Sequence, residues 1–250
     1  MGTGNKITTG RPCLTDRIHT SSAKERGFGW TSGNWSGYAV SGKKQAFRQI
    51  SGEWIVPFVK PAVKAVYSSA WVGIDGYGNS SLIQAGTGHE SVNGAVRYYA
   101  WWEILPAAET VIPYPVSPGD RMQAVIAKAG PRKWMIQLRN LSKSWIFRTF
   151  QRYVGPQSSA EWIVEAPQVD GNIAGLARLS PASFSRCRVN GKSPKLRPAN
   201  GGIMIQKKTR TAVPSLPNIR GDAFTVTRLC RNGQPPLYSK LPIQYIHSGI

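Results

Sequence analysis

The tightest restriction on this chain is a missing pattern. From Trp30 onward no apolar repeat of helical spacing persists beyond about three turns. Short runs rich in β-branched and aromatic residues recur instead. NWSGYAV (34–40), AFRQISGEWIVP (46–57), AVYSSAWVGID (65–75), SLIQAG (81–86) and VRYYAWWEILP (96–106) are such runs. RMQAVIAKA (121–129), KWMIQLRNL (133–141), WIFRTFQRYV (145–154) and AEWIVEAP (160–167) continue the series. Clusters of Gly, Pro, Asn or Ser separate most of them, which is how strands are punctuated. The expected fold class is therefore all-β, a two-sheet sandwich or a barrel. SPGD (117–120) and NGKSPK (190–195) read as turns, and NIAGLARLSP (172–181) fits either a short helix or another strand. No run of about 18 apolar residues occurs, so no transmembrane helix is expected.

Residues 1–29 are polar, rich in Gly, Thr and Arg, and lack the apolar core of a signal peptide. They are expected to form an N-terminal arm or a propeptide remnant, with residues 30–250 as one domain. Cys13, Cys187 and Cys230 lie far apart with no CxxC, which excludes a zinc ribbon or a thioredoxin-type motif. One disulfide can form, and Cys187 with Cys230 is the favoured pair. His19, His89 and His247 form no i, i+4 pair, so no zincin helix is present. His89, in GTGHESV, reads as polar loop surface. GIDGYG (73–78) follows a strand without opening a helix, so it reads as a turn rather than a phosphate loop.

The charge balance is 32 Lys and Arg against 12 Asp and Glu, a formal +20. Such a surface attracts polyanions without sequence preference. The basic residues are nevertheless scattered in short clusters, with no long tail, which disfavours a dedicated nucleic-acid role. DNA binding, if present, is expected to be nonspecific and lost at moderate salt.

Alternation along the strands locates a candidate site. In SSAEWIVEAP (158–167), Glu161, Ile163 and Glu165 share one face, and Trp162 and Val164 share the other. Two acids opposite a core-facing Trp suggest a wet groove. In AWVGIDG, Trp71, Gly73 and Asp75 face together; in YYAWWEILP, Tyr99, Trp101, Glu103 and Leu105 do; in SLIQAG, Gln84 shares a side with Leu82. Neighbouring in one sheet, these faces make an aromatic-walled groove with carboxylates and an amide on its floor, suited to an extended peptide or a sugar chain.

Here a resemblance enters. NWSGYAV, EWIVP, SSAWVGIDG, LIQAG, YYAWWEILP, SPGD and AEWIVEAP, in this order, resemble the eqolisin family of glutamic endopeptidases, from about Asn34 to about Thr227. The resemblance implies an antiparallel β-sandwich of two seven-stranded sheets and peptide hydrolysis at acid pH by a Gln/Glu dyad. Gln84 matches the family's catalytic Gln and Glu165 its catalytic Glu. Trp35, Trp71 and Trp101 match the groove tryptophans, and Asp75 and Glu103 the groove carboxylates. Tyr99 stands where relatives carry Asp, and joins the expected substrate contacts. Leu105 replaces a second Tyr, and Ala166-Pro167 replaces Asp-Phe. The basic balance is more similar to prokaryotic branches than to the acidic fungal ones.

The chemistry asked of these residues is simple. A carboxylate takes a proton from water and returns it to the departing amine. Apolar walls raise its pKa, and an amide partner adds no competing charge. Gln84 has both donors and an acceptor, so it can orient the water and bond the oxyanion. The expectation is a secreted, monomeric, pepstatin-insensitive acid endopeptidase acting on polypeptides, with no metal or cofactor, no specific nucleic acid and no membrane span. The alternative is a non-catalytic sandwich whose groove binds peptides or glycans without cutting them.

Overall fold

A computed structural model describes residues 7–8 and 27–229 of the chain. In chain order the strands are β1 (Ile7–Thr8), β2 (Trp30–Ser32), β3 (Trp35–Ser41), β4 (Gln49–Ile55), β5 (Val66–Ile74) and β6 (Ile83–Val92). Next come β7 (Ala95–Ile104), β8 (Thr110–Ile112), β9 (Arg121–Gly130), β10 (Lys133–Asn140), β11 (Trp145–Arg152) and β12 (Ser159–Glu165). The last are β13 (Gln168–Val169), β14 (Asn172–Ile173), β15 (Ala182–Val189), β16 (Gly201–Gln206), β17 (Thr209–Pro214) and β18 (Phe224–Arg228). Apart from one 3-10 turn at Pro198–Asn200, no helix occurs among the described residues.

One hydrogen-bonded ladder runs β11-β10-β9-β4-β15-β18-β17-β16-β3-β12-β5-β6-β7-β8, with β2 added in parallel beside β16. Every pair along that path is antiparallel. The ladder folds back on itself, bringing β4, β9, β10 and β15 against β5, β6 and β12. The product is the expected antiparallel sandwich. A small separate sheet joins β1, β13 and β14.

Alternation explains the core. Trp134, Ile136 and Leu138 of β10, Met122, Ala124 and Ile126 of β9, and Ala160, Trp162 and Val164 of β12 all turn inward and are buried. Trp162 locks the layers together. A Cβ on Gly52 of the facing sheet would lie 2.8 Å from its indole, so only glycine admits the ring. The indole Nε1 donates to the Ser51 carbonyl at 2.9 Å, so the buried donor is satisfied. Fully burying such large side chains contributes roughly 2–3 kcal/mol each.

His89 departs from its sequence reading. It lies within β6, not in a loop, and is 1% exposed. On that strand Ala85, Thr87 and His89 face the core, opposite Gln84, Gly86 and Gly88. Ser68 Oγ lies 3.1 Å from His89 Nδ1, and Thr87 Oγ1 lies 2.9 Å from Nε2. Burial pushes its pKa down to about 3.

The ambiguous stretch 172–181 is extended: β14 opens it, and Leu176 and Leu179 bridge to Tyr67 and Val59. Both predicted turns form, with Gly119 at φ 85° and Asn190 at φ 49°. Cys187 is buried, while its suggested partner Cys230 lies outside the described residues. Charges are sorted by depth. Glu53, Asp75, Glu90, Glu103, Asp120, Glu161, Glu165 and Asp222 are buried, and Glu109 is half-buried. Asp170 is the one exposed acid among the described residues.

Candidate active site

The strands β12, β5, β6 and β7 are hydrogen-bonded neighbours, so the faces singled out in the sequence form one surface. Register sets them in rows. Glu161, Gly73, Gln84 and Glu103 lie level. Beside them run Ile163, Trp71, Gly86 and Trp101. Then come Glu165, Ser69, Gly88 and Tyr99, with Trp35 on the far side of Glu165.

The expected wet groove is covered. Glu161, Glu165, Gln84 and Glu103 are all 0% exposed. They lie among a second apolar cluster of Trp30, Trp35, Ala39, Trp71, Leu82, Tyr99, Trp101 and Ile163, with Tyr77 and Leu105 against it. Trp35 meets Trp71 edge-on, with 4.8 Å between ring centroids. Alternation predicts which face a side chain takes, but not what later segments lay over it.

Register alone would pair Gln84 with Glu161 across Gly73, yet the side chains diverge. The Trp71 indole lies lengthwise along its strand. A Cβ on Gly73 would come within 2.9 Å of Trp71 Cζ3 and 3.0 Å of Leu82 Cδ1, so these groups fill the gap between Glu161 and Gln84. At its other end Trp71 Nε1 donates to Glu165 Oε2 at 2.9 Å. Asn34 Nδ2 donates to Glu165 Oε1 at 3.2 Å. Gln84 Nε2 donates to Glu103 Oε2 at 2.6 Å.

Glu165 has its pKa raised well above 4.5. Burial is the main cause and repulsion from Glu103 adds to it, while Trp71, Trp35 and Asn34 pull the other way. Glu161 is also pushed up, by burial first and then by Asp75, against the Ser159 hydroxyl and the Tyr77 amide. Glu161 thus answers to Asp75, while Glu165 answers to Glu103, which holds Gln84.

Asp75 breaks the alternation because its φ is 68°. Its carboxylate accepts from Tyr153 Oη at 2.6 Å and from the Gln157 and Ser158 amides at 2.8 Å each. It therefore ties down the segment that enters β12. Tyr99 lies across Gly88, where a Cβ would be 2.3 Å from its ring. The Arg97 guanidinium sits 4.7 Å above the Tyr99 ring and pairs with Glu90 at 2.6 Å.

Glu109, which the sequence did not single out, bonds the Tyr99 hydroxyl and is pushed up to about 7, chiefly by burial. Asn34 was also missed as a site residue, although it begins the NWSGYAV block. Among the described residues no group of three or more His, Cys, Asp and Glu is placed to hold a metal ion.

These shifts predict how stability depends on pH. A carboxyl raised in the folded state holds its proton there after the unfolded chain has lost it. Stability then falls as pH climbs above the ordinary 4.5. His89, lowered to about 3, acts oppositely: the unfolded chain gains a proton first as pH drops below 6.5. Glu161, Glu165 and Glu109 outnumber it, so the thermal midpoint should peak near about pH 4.5 and decline toward neutrality. A midpoint rising from about pH 5 to 7 would contradict this balance.

Comparison with known proteins places the chain in a family and agrees with its fold. The sequence model of the Peptidase A4 family matches residues 33–228. Aspergillopepsin-2 of Aspergillus niger is 23% identical over 221 residues, covering 78% of this chain and 77% of that protein. The solved structure of scytalido-glutamic peptidase with a transition state analog inhibitor superposes with a TM-score of 0.67 at 20% identity, over 79% of this chain and 98% of that one. SCP-B, a member of the eqolisin family of peptidases in complex with the tripeptide Ala-Ile-His, gives 0.59 at 19% identity, over 79% and 98%. Aspergilloglutamic peptidase from Aspergillus niger gives 0.56 at 22% identity, over 66% and 99%.

Proposed function

Because the chain belongs to the Peptidase A4 family, we propose that it is a glutamic endopeptidase of weakly acid conditions in which Gln84 and Glu165 act as the dyad. The observation that carries this reading is the chain of contacts around Glu165. A fully buried carboxyl with a raised pKa is fixed by Trp71 and Asn34, and it feels the charge of Glu103, which holds the Gln84 amide. Pairs of polar groups with environments that set their roles are what acid–base chemistry requires.

In this mechanism an extended polypeptide lies between Trp35, Trp71, Tyr99 and Trp101, displacing part of the Tyr77 and Trp30 cover. Glu165, ionised, takes a proton from a water molecule as its oxygen attacks the peptide carbonyl. The carbonyl π-electrons move to oxygen, and Gln84 donates to that oxyanion, a contribution of about 3 kcal/mol. Glu103 fixes the amide beforehand, so no reorientation is needed in the transition state. Protonated Glu165 then gives its proton to the leaving nitrogen as the C–N bond breaks. The carboxylate is restored. Asp75 serves here by holding the strand that carries Glu165 rather than by touching substrate.

Both dyad members come from one sheet of one chain, which supports a monomer as the working unit. No helix among the described residues is long and apolar enough to cross a membrane. Action on external protein outside the cell is part of the same proposal.

The test is digestion of denatured casein across about pH 2 to 8, with and without pepstatin and EDTA. Cleavage is expected to persist with both reagents. Because the base must be ionised, the acid limb of kcat/KM should lie above the ordinary 4.5. Loss of activity with EDTA would indicate a metal-dependent site, and inhibition by pepstatin an aspartic one. A protein that binds peptides but never cleaves them would move the non-catalytic sandwich into first place.

A further inference from the structure

Among the described residues β11 is an edge strand, bonded on one side only, to β10. Its outward face has an unusual composition. Ile146 (52% exposed), Arg148, Phe150 (50%) and Arg152 follow one another at alternate positions, and Val154 (64%) continues the series past the strand end. The intervening Trp145, Phe147, Thr149 and Gln151 are half-buried. Neighbouring β10 adds charge to the same face. Lys133 pairs with Arg152 and sits 4.9 Å above the Phe150 ring, and Arg139 lies opposite Ile146. Arg148 is laid flat by donating twice to Gln137, at 3.0 and 2.6 Å. Glu53 of β4, two strands beyond β10, is buried and held by Arg121 and Arg186.

Cationic residues on an edge strand discourage edge-to-edge pairing, and that accounts for the arginines. It does not account for large apolar side chains left half in water between them. A second copy of the chain would bring like charges together. A soluble polyanion would use the arginines and gain nothing from Ile146 or Val154. A surface with both anionic groups and an apolar interior uses every member of the series.

We propose that the outward face of β11 docks on an anionic lipid bilayer, with Ile146 and Phe150 entering the headgroup boundary and Arg148, Arg152 and Lys133 meeting lipid phosphates. Interfacial binding draws on both buried apolar area and attraction to anionic lipid. The face is separate from the proposed catalytic residues, so docking would hold the peptidase at a surface without altering its chemistry.

Cosedimentation with phosphatidylcholine vesicles, and with vesicles containing about a quarter phosphatidylglycerol, tests this. Binding to the anionic vesicles alone is expected, weakened but not abolished at high salt. I146S/F150S should lower partitioning about tenfold, through the lost apolar area. R148Q/R152Q should lower it about 25-fold, at roughly fivefold per arginine. All these positions are exposed, and cleavage of a soluble peptide by both variants should match the parent, confirming an intact fold. Equal binding to both vesicle types, or unchanged binding by I146S/F150S, would overturn the proposal. So would tight binding to DNA or heparin that R148Q/R152Q removes and I146S/F150S leaves intact, since that points to a soluble polyanion.

Discussion

Glu165→Gln should lower turnover by roughly 10²–10⁴-fold while the protein stays folded. The amide keeps the size of the side chain and one acceptor oxygen, so it retains the bond from Trp71 (2.9 Å to Oε2) when its NH2 faces Asn34, whose 3.2 Å bond to Oε1 is then lost. It cannot take a proton from water. Removing a buried group with a raised pKa should also flatten the decline of stability above pH 4.5. Glu161→Gln provides the contrast. It removes an equally buried carboxyl from the same face, but one that feels Asp75 and is separated from Gln84 by the Trp71 ring. That variant should keep most of its activity and gain stability at neutral pH. Measuring kcat and the thermal midpoint for both separates the two acids. Comparable losses of turnover would mean that the carboxyls work as a pair; a fully active Glu165→Gln protein would end the dyad assignment.

Gln84→Met is expected to cost about 10²–10³ in kcat, the range for losing one oxyanion donor. Methionine fills most of the space of glutamine, so the loss reads on hydrogen bonding rather than on a cavity. It leaves Glu103 Oε2 without the donor now 2.6 Å away, at a stability cost of about 1–3 kcal/mol. Since the bond forms only in the transition state, kcat and kcat/KM should fall together. Combined with Glu165→Gln, the double variant should lose little more than the worse single one, because the groups act as a unit. An additive loss would indicate that Gln84 works apart from Glu165.

The faces of these strands were legible in the sequence because strand alternation is a property of the backbone. Trp71 with Gly73, Gln84 with Leu82, and Trp101 with Glu103 lie together as read. Depth was not legible. The apolar cluster around the site also takes in Trp30 and Tyr77, on segments whose approach depends on the whole topology. Asp75 escaped alternation through a positive φ that no neighbouring residue announces. His89 reads as loop surface in the sequence, yet β6 runs through it because β5 and β7 pair on either side. β15, β16 and β17 went unread for a different reason. Their ladders shift between Ser185 and Arg188 and between Met204 and Ile205, so the period of two is interrupted inside each strand pair.

The sorting of charge by depth has a consequence for how the molecule behaves as a colloid. Among the described residues, the charged groups it shows to water are overwhelmingly Lys and Arg, with Asp170 as the exposed acid. Acidification can only add to that charge, because each carboxyl that gains a proton makes the net charge more positive. Electrophoretic mobility should therefore be cationic throughout the weakly acid range and should not reverse sign there. In a mixture brought to mild acidity, where acidic proteins lose their net charge and come out of solution, this one would remain dispersed among the precipitating chains.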